Sequence, residues 1–126
     1  MTGYSRLGTD FIAERFPGLK AKAQETAGEY DSFLPHVVFG DVFNELTAEL
    51  LKREDWFSDS LLRDIFDMYE ELSSSEDKET QNLVQVTLLE YLWDEKLTFD
   101  RALKLMGKHT REIWDNIYGY LNVPRK

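Results

Sequence analysis

His36 stands five residues before Asp41 and nine before Glu45. An imidazole with two carboxylates is the raw material of a zinc site or an acid–base pair. On a helix Asp41 and Glu45 share a face at i, i+4, but His36 falls off that face. A zinc site wants three or four convergent ligands, and the only other histidine is His109. His109 followed by Glu112 is half of a carboxylate–histidine arrangement, and as an isolated pair it reads as the start of a capped helix. No serine or threonine lies in a nucleophile elbow. The glycines, scattered at 3, 8, 18, 28, 40, 107 and 119, form no phosphate-cradling loop. The chain has no cysteine, hence no thiolate chemistry and no disulfide framework. No catalytic, cofactor-binding or metal-ligating residue is expected, and the protein is read as a non-enzyme.

What remains is acidic. Residues 41–79 hold thirteen Asp and Glu against four Lys and Arg, net −9, whereas 1–40 carry −1 and 80–126 carry +1. The whole imbalance lies in the middle third. Asp41, Glu45 and Glu49 form one row on a helix, and Asp64, Asp67 and Glu71 form a second on the next helix. Antiparallel neighbours could set these rows side by side. Charged helix surfaces are ordinary, but a merely solubilising face tends to include balancing Lys at i+4, which these rows lack. An acidic field repels nucleic acid and anionic lipid and attracts a basic protein. Trp56-Phe57, in a turn beside Glu54 and Asp55, either covers the end of the core or anchors an interface. The candidate partner-binding set is therefore Asp41, Glu45, Glu49, Trp56, Asp64, Asp67 and Glu71. The expected partner is a protein, with no nucleic acid and no membrane.

The elements that position these groups follow from apolar spacing. Thr9 or Asp10 can cap a short helix through Phe11, Ile12 and Phe16, ended by Pro17-Gly18. Residues 19–29 form a weak, mostly exposed helix, after which Tyr30, Phe33 and Leu34 tuck into the core. Pro35 opens a helix whose Phe39, Val42, Phe43, Leu46, Leu50 and Leu51 face inward. Gly40 within it costs about 1 kcal/mol relative to Ala, and close approach of another backbone would be a reason for it. Ser58 caps the next helix, to about Leu72, and Ser75 caps the one that runs to Asp94. In that helix Asn82–Trp93 is apolar nearly all round, which predicts enclosure on most sides. Thr98 begins a short helix ended by Gly107. His109 or Thr110 begins the last, with Ile113, Trp114, Ile117, Tyr118 and Leu121 inward and Asn122 and Pro124 closing it. No segment shows strand alternation. The expected fold is all-α: one domain over 1–126, with 1–8 loosely held, as a compact bundle of five to six helices.

Size agrees. At 14.8 kDa the scaling relations give roughly 7,000 Å² of folded surface against about 21,000 Å² unfolded, enough burial for one core. No signal-peptide h-region and no apolar run long enough to span a membrane appears, so a cytoplasmic protein is expected.

Two resemblances add to this. The pair 59–72 and 76–93 resembles one unit of a HEAT-type helical repeat, although three such units cannot be counted. The string Leu34-Pro35-His36-Val37-Val38-Phe39-Gly40-Asp41-Val42-Phe43, the acidic helical pair and the Leu88–Trp93 segment together resemble small acidic all-helical bacterial proteins. These are associated with the immunity proteins of polymorphic toxin systems, and the likeness spans about residues 33–107. It implies a toxin-neutralising immunity protein that binds and inhibits a cognate bacterial toxin, with no catalytic residue to carry over. The alternative is a helical-repeat adaptor for a housekeeping protein or peptide.

Overall fold

The computed structural model describes residues 3, 4, 7–29, 34–93 and 95–121, without the side chains of 29 and 118–121. Among the described residues the structure is all-helical, with no strand. The helices are α1 (Thr9–Arg15), α2 (Lys20–Glu29), α3 (Pro35–Leu51), α4 (Ser60–Ser73), α5 (Lys78–Asn82), α6 (Lys96–Leu105) and α7 (Lys108–Leu121). The bundle expected to hold five to six helices has seven α-helices among the described residues, one for each of the seven segments that the apolar spacing marks.

Caps explain most boundary shifts. Asp59, not Ser58, caps α4, its carboxylate accepting the Leu62 N–H at 2.9 Å. Asp77, not Ser75, caps α5 by accepting from the Glu79 N–H at 3.0 Å. Carboxylates also favour a helix N-terminus by charge, which hydroxyls do not. Thr98 lies inside the first turn of α6, its hydroxyl donating to the Leu92 and Glu95 carbonyls. Leu34 does not tuck inward; it is 42% exposed. Tyr30, Phe33, Asn122 and Pro124 and the side chains of Tyr118 and Leu121 lie outside the described residues. The lead-in is held in part, since Leu7 is buried and the Tyr4 N–H donates to Asp77 at 2.6 Å.

From Lys78 to Leu92 the chain forms one continuous rod whose hydrogen bonding changes along its length. After α5, residues Leu83–Leu89 form a π-helix and Glu90–Leu92 a 3₁₀ turn. The Glu90 N–H reaches back five residues to the Gln85 carbonyl. This answers the apparent all-round apolarity of Asn82–Trp93. In an α-helix, Leu83 and Leu88 would diverge by about 140°. The wider π turn brings Leu83, Val84, Leu88 and Leu89 toward one face, continued by Leu92 and Trp93, all buried. The expected enclosure therefore holds on that face only. Val86 and Tyr91 point to solvent, 39% and 47% exposed.

The rod packs against α3 and α7, with α4 also touching it. α2 packs on α3 and, among its described side chains, buries the small residues Ala23 and Thr26. Two aromatic clusters fill the ends. Phe11 and Phe16 of the α1 region meet Phe39 and Phe43 of α3, with ring centres 5.3–6.1 Å apart. Trp93, Phe99 and Trp114 form a triangle with ring centres 4.7–4.9 Å apart, joining the rod to α6 and α7. Between them, buried Tyr69 of α4 shares a hydrogen bond with Thr47 of α3 at 3.2 Å. Burial pushes its phenol far above the ordinary tyrosine range, despite that bond.

Candidate interaction surface

The two acidic rows occupy α3 and α4 as expected, but the N-terminal helices reach both of them. Arg15 at the end of α1 forms an ion pair with Glu71 of α4. Phe16 packs on α3, and with Arg15 it lines a depression of about 280 Å³ that also takes in Asp64 and Asp67. Asp41 accepts a hydrogen bond from Thr26 and lies 3.5 Å from Lys22 of α2. Glu49 pairs with Arg53 at 3.0 Å. Three of the six carboxylates are thus matched by cations. Two of those cations come from helices distant in sequence, where an i+4 search on the rows themselves could not find them. Glu45, Asp64 and Asp67 are exposed, and no ion pair to a described residue takes them up.

Trp56 lies in a 3₁₀ turn, Trp56–Ser58, that links α3 to α4. It is half-buried, and its neighbour Phe57 is the outward ring, 52% exposed, with the ring centres 5.3 Å apart and edge-on. Each ring carries a guanidinium. Arg63 lies 4.6 Å over Phe57 and donates through Nε to the Phe57 carbonyl at 2.8 Å. Arg101 of α6 lies 5.2 Å over Trp56 and donates to the carbonyls of Leu51 and Arg53 at 2.6 and 3.2 Å. Leu51 is the last residue of α3 and Arg53 lies just past it, so Arg101 closes a helix C-terminus with the charge its dipole favours. The sequence singled out Trp56-Phe57 as a pair, with Trp56 as the candidate contact, and gave no sign of Arg63 or Arg101. Only the folded chain brings Arg101 forty-five positions back to the turn.

Elsewhere, Glu70 and His36 bond to structural partners. Glu70 caps α7 from another helix. Its carboxylate accepts from the N–H groups of His109 and Thr110 at 3.0 and 2.9 Å and from the Thr110 hydroxyl at 2.8 Å, and it bonds His109 Nδ1 at 2.7 Å. Burial alone would raise its pKa. The bonds to Thr110 and His109 outweigh it and hold the carboxyl below its ordinary value. His109 is thus the start of a helix and belongs with Glu70, not Glu112. Gly107 makes room for this, because a Cβ there would fall 2.5 Å from Glu70 Cδ.

His36 meets neither Asp41 nor Glu45. Its Nδ1 bonds the Thr87 hydroxyl in the π segment at 2.5 Å. Two more residues on the same face of α3 also address Thr87. Asn44 Nδ2 donates to the Thr87 carbonyl at 3.0 Å, and a Cβ on Gly40 would lie 3.3 Å from Thr87 Cγ2. Gly40 is thus approached by a side chain of the rod and not by the backbone expected of it.

Among the described residues no group of three or more His, Asp or Glu could hold a metal ion, and no helix is long and apolar enough to cross a membrane. No curated protein and no solved structure matches the chain. One family model does, over residues 9–121, from α1 through the end of α7. The chain belongs to the family described as a domain of unknown function, DUF7674.

Proposed function

We propose that this protein is a non-catalytic inhibitor, an immunity protein that binds a cognate basic toxin through the acidic flank of α3 and α4. The observation that carries this reading is the uneven use of the acidic rows. Asp41, Glu49 and Glu71 are tied to cations, while Glu45, Asp64 and Asp67 stay exposed with no ion pair to a described residue. Clustered carboxylates left unmatched cost stability through repulsion, and a cationic partner would relieve that cost and be steered to the site. The pinned Trp56–Phe57 turn at the α3–α4 junction supplies rings of the kind that anchor interfaces.

The test is protection. The protein is co-expressed with the product of its neighbouring gene, and growth and complex formation are scored. The Asp64→Lys/Asp67→Lys variant should lose protection and binding while keeping the wild-type melting temperature. Glu71 is left alone because its exchange would break the Arg15 pair. Binding should weaken with added salt, as expected for charge-steered association. Retained protection by the double variant would remove this surface from the mechanism.

A second reading, a helical-repeat adaptor of HEAT-like packing, is favoured by exposed Phe57 alone. It expects Phe57→Ala to abolish capture of a partner and the Lys exchanges to leave it intact.

A further inference from the structure

The most elaborate local construction in the molecule has no part in the acidic flank. Three residues at i, i+4 and i+8 on α3, His36, Gly40 and Asn44, converge on Thr87. Thr87 itself lies within the π-helix. Short π segments are rare, and they recur at functional sites. Here the π turn and a glycine in mid-helix, which is unfavourable by itself, let the Thr87 hydroxyl hold one nitrogen of one imidazole. A histidine whose Nδ1 is fixed by a supporting residue has its ring plane set and its Nε2 left for another partner. Among the described residues no group bonds that Nε2.

The ring lines a depression of about 370 Å³ together with Lys78, Glu79 and Asn82. Tyr4 borders the same place. Its ring centre is 6.1 Å from that of His36, and Glu79 acts on its phenol electrostatically. Lys78 and Glu79 are adjacent on the rod, do not face each other, and form no ion pair with a described residue. The site thus presents one cation, one anion, one amide and one oriented imidazole.

We propose that this depression binds a small zwitterion, a free α-amino acid, with its carboxylate toward Lys78 and its ammonium toward Glu79. The lining decides among ligand classes. A divalent cation would find only Glu79 and His36 as strong ligands, with the Lys78 ammonium opposing it. A phosphate would meet the Glu79 carboxylate. A zwitterion satisfies both charges, and it suits His36 in either tautomer: Nε2–H donates to the carboxylate, or bare Nε2 accepts from the ammonium. The Asn82 amide can serve both ends in the same way. The volume lies in the usual range for small-molecule sites. The surface is separate from Glu45, Asp64 and Asp67, so the proposal stands apart from the inhibitory role.

The experiment is an NMR titration of the His36 imidazole, assigned by its disappearance in His36→Gln. L-Alanine should shift the resonance saturably, with a Kd in roughly the millimolar range. N-Acetyl-L-alanine, which lacks the ammonium, and L-alaninamide, which lacks the carboxylate, should each bind at least about tenfold more weakly, a loss of about 1.4 kcal/mol. Lys78→Ala and Glu79→Ala should each remove the response to L-alanine and leave the melting temperature unchanged, because both side chains are exposed. The proposal is overturned if L-alanine gives no saturable shift up to about 50 mM. It is equally overturned if inorganic phosphate or zinc alone reproduces the shift, or if the two blocked alanines bind as well as alanine.

Discussion

Glu70→Ala removes a helix cap that is supplied across the fold. Four bonds go at once, including those from two backbone N–H groups in the first turn of α7. Loss of a side-chain cap costs about 0.5–2 kcal/mol. A donor left without a partner in a partly buried place costs about 1–3 kcal/mol. Water can reach part of this site, so the total is set at about 2 kcal/mol, a fall in melting temperature of roughly 6–10 °C for a chain of this size. Gly107→Ala addresses the same contact from the other side. Its new Cβ would lie 2.5 Å from Glu70 Cδ and Oε1. Glu70 can escape by swinging out, which forfeits its bonds, so the cost of Gly107→Ala is capped near that of Glu70→Ala. In the Glu70→Ala background the obstruction is gone, and Gly107→Ala should then be neutral or slightly stabilising. Urea denaturation of the four proteins measures the cycle. Additive losses in the double variant would refute the reasoning, as would a Glu70→Ala melt within about 1 °C of wild type.

The same carboxylate sets a pH dependence. Its folded-state pKa lies below the ordinary 4.5, so its stabilisation is complete above that value and is lost as the pH falls through the folded-state value. The stability gap between wild type and Glu70→Gln should accordingly close on acidification, as followed by urea midpoints against pH. Gly40→Ala gains about 1 kcal/mol of helix propensity but presses on Thr87 Cγ2 at 3.3 Å. Adding it to Thr87→Ser, which deletes that methyl, should recover the gain as a higher urea midpoint than Thr87→Ser alone. Arg101→Ala should cost about 1–2 kcal/mol through two lost carbonyl bonds and an uncovered Trp56, with acrylamide quenching reporting greater indole access. Leu88→Asp places a carboxylate where no surface is exposed and should abolish the cooperative melt.

The fold class was open to sequence reading because apolar spacing on α3, α4 and α7 is strong and local. Phe39, Val42, Phe43, Leu50, Trp114 and Ile117, all expected to face inward, are buried. Boundaries were less legible where an Asp and a Ser competed for a cap, as at Asp59 and Asp77. The π segment escaped because an i, i+5 repeat of apolar pairs, Leu83-Val84 and Leu88-Leu89, looks like all-round apolarity when laid on an α-helical wheel. The surface was legible as charge and illegible as pairing. Arg15 lies fifty-six positions from Glu71 and Lys22 nineteen from Asp41, each on another helix, and only tertiary packing brings them close. His36 was weighed with the acids nearest in sequence, whereas its partner stands fifty-one positions away.

The π turn also bears on which changes of chain length this domain can absorb. Compared with an α-helical ladder, each i→i+5 ring encloses one more residue. Removing exposed Val86 would bring Leu83-Val84 and Leu88-Leu89 to a spacing of four, which an ordinary α-helix buries on one side. The apolar wall would survive the deletion, with Leu83-Val84 and Leu88-Leu89 still packed on one side. Thr87 would be turned relative to α3, and His36 would lose its tether. A one-residue deletion here therefore distinguishes what the rod needs to fold from what it needs to aim a side chain.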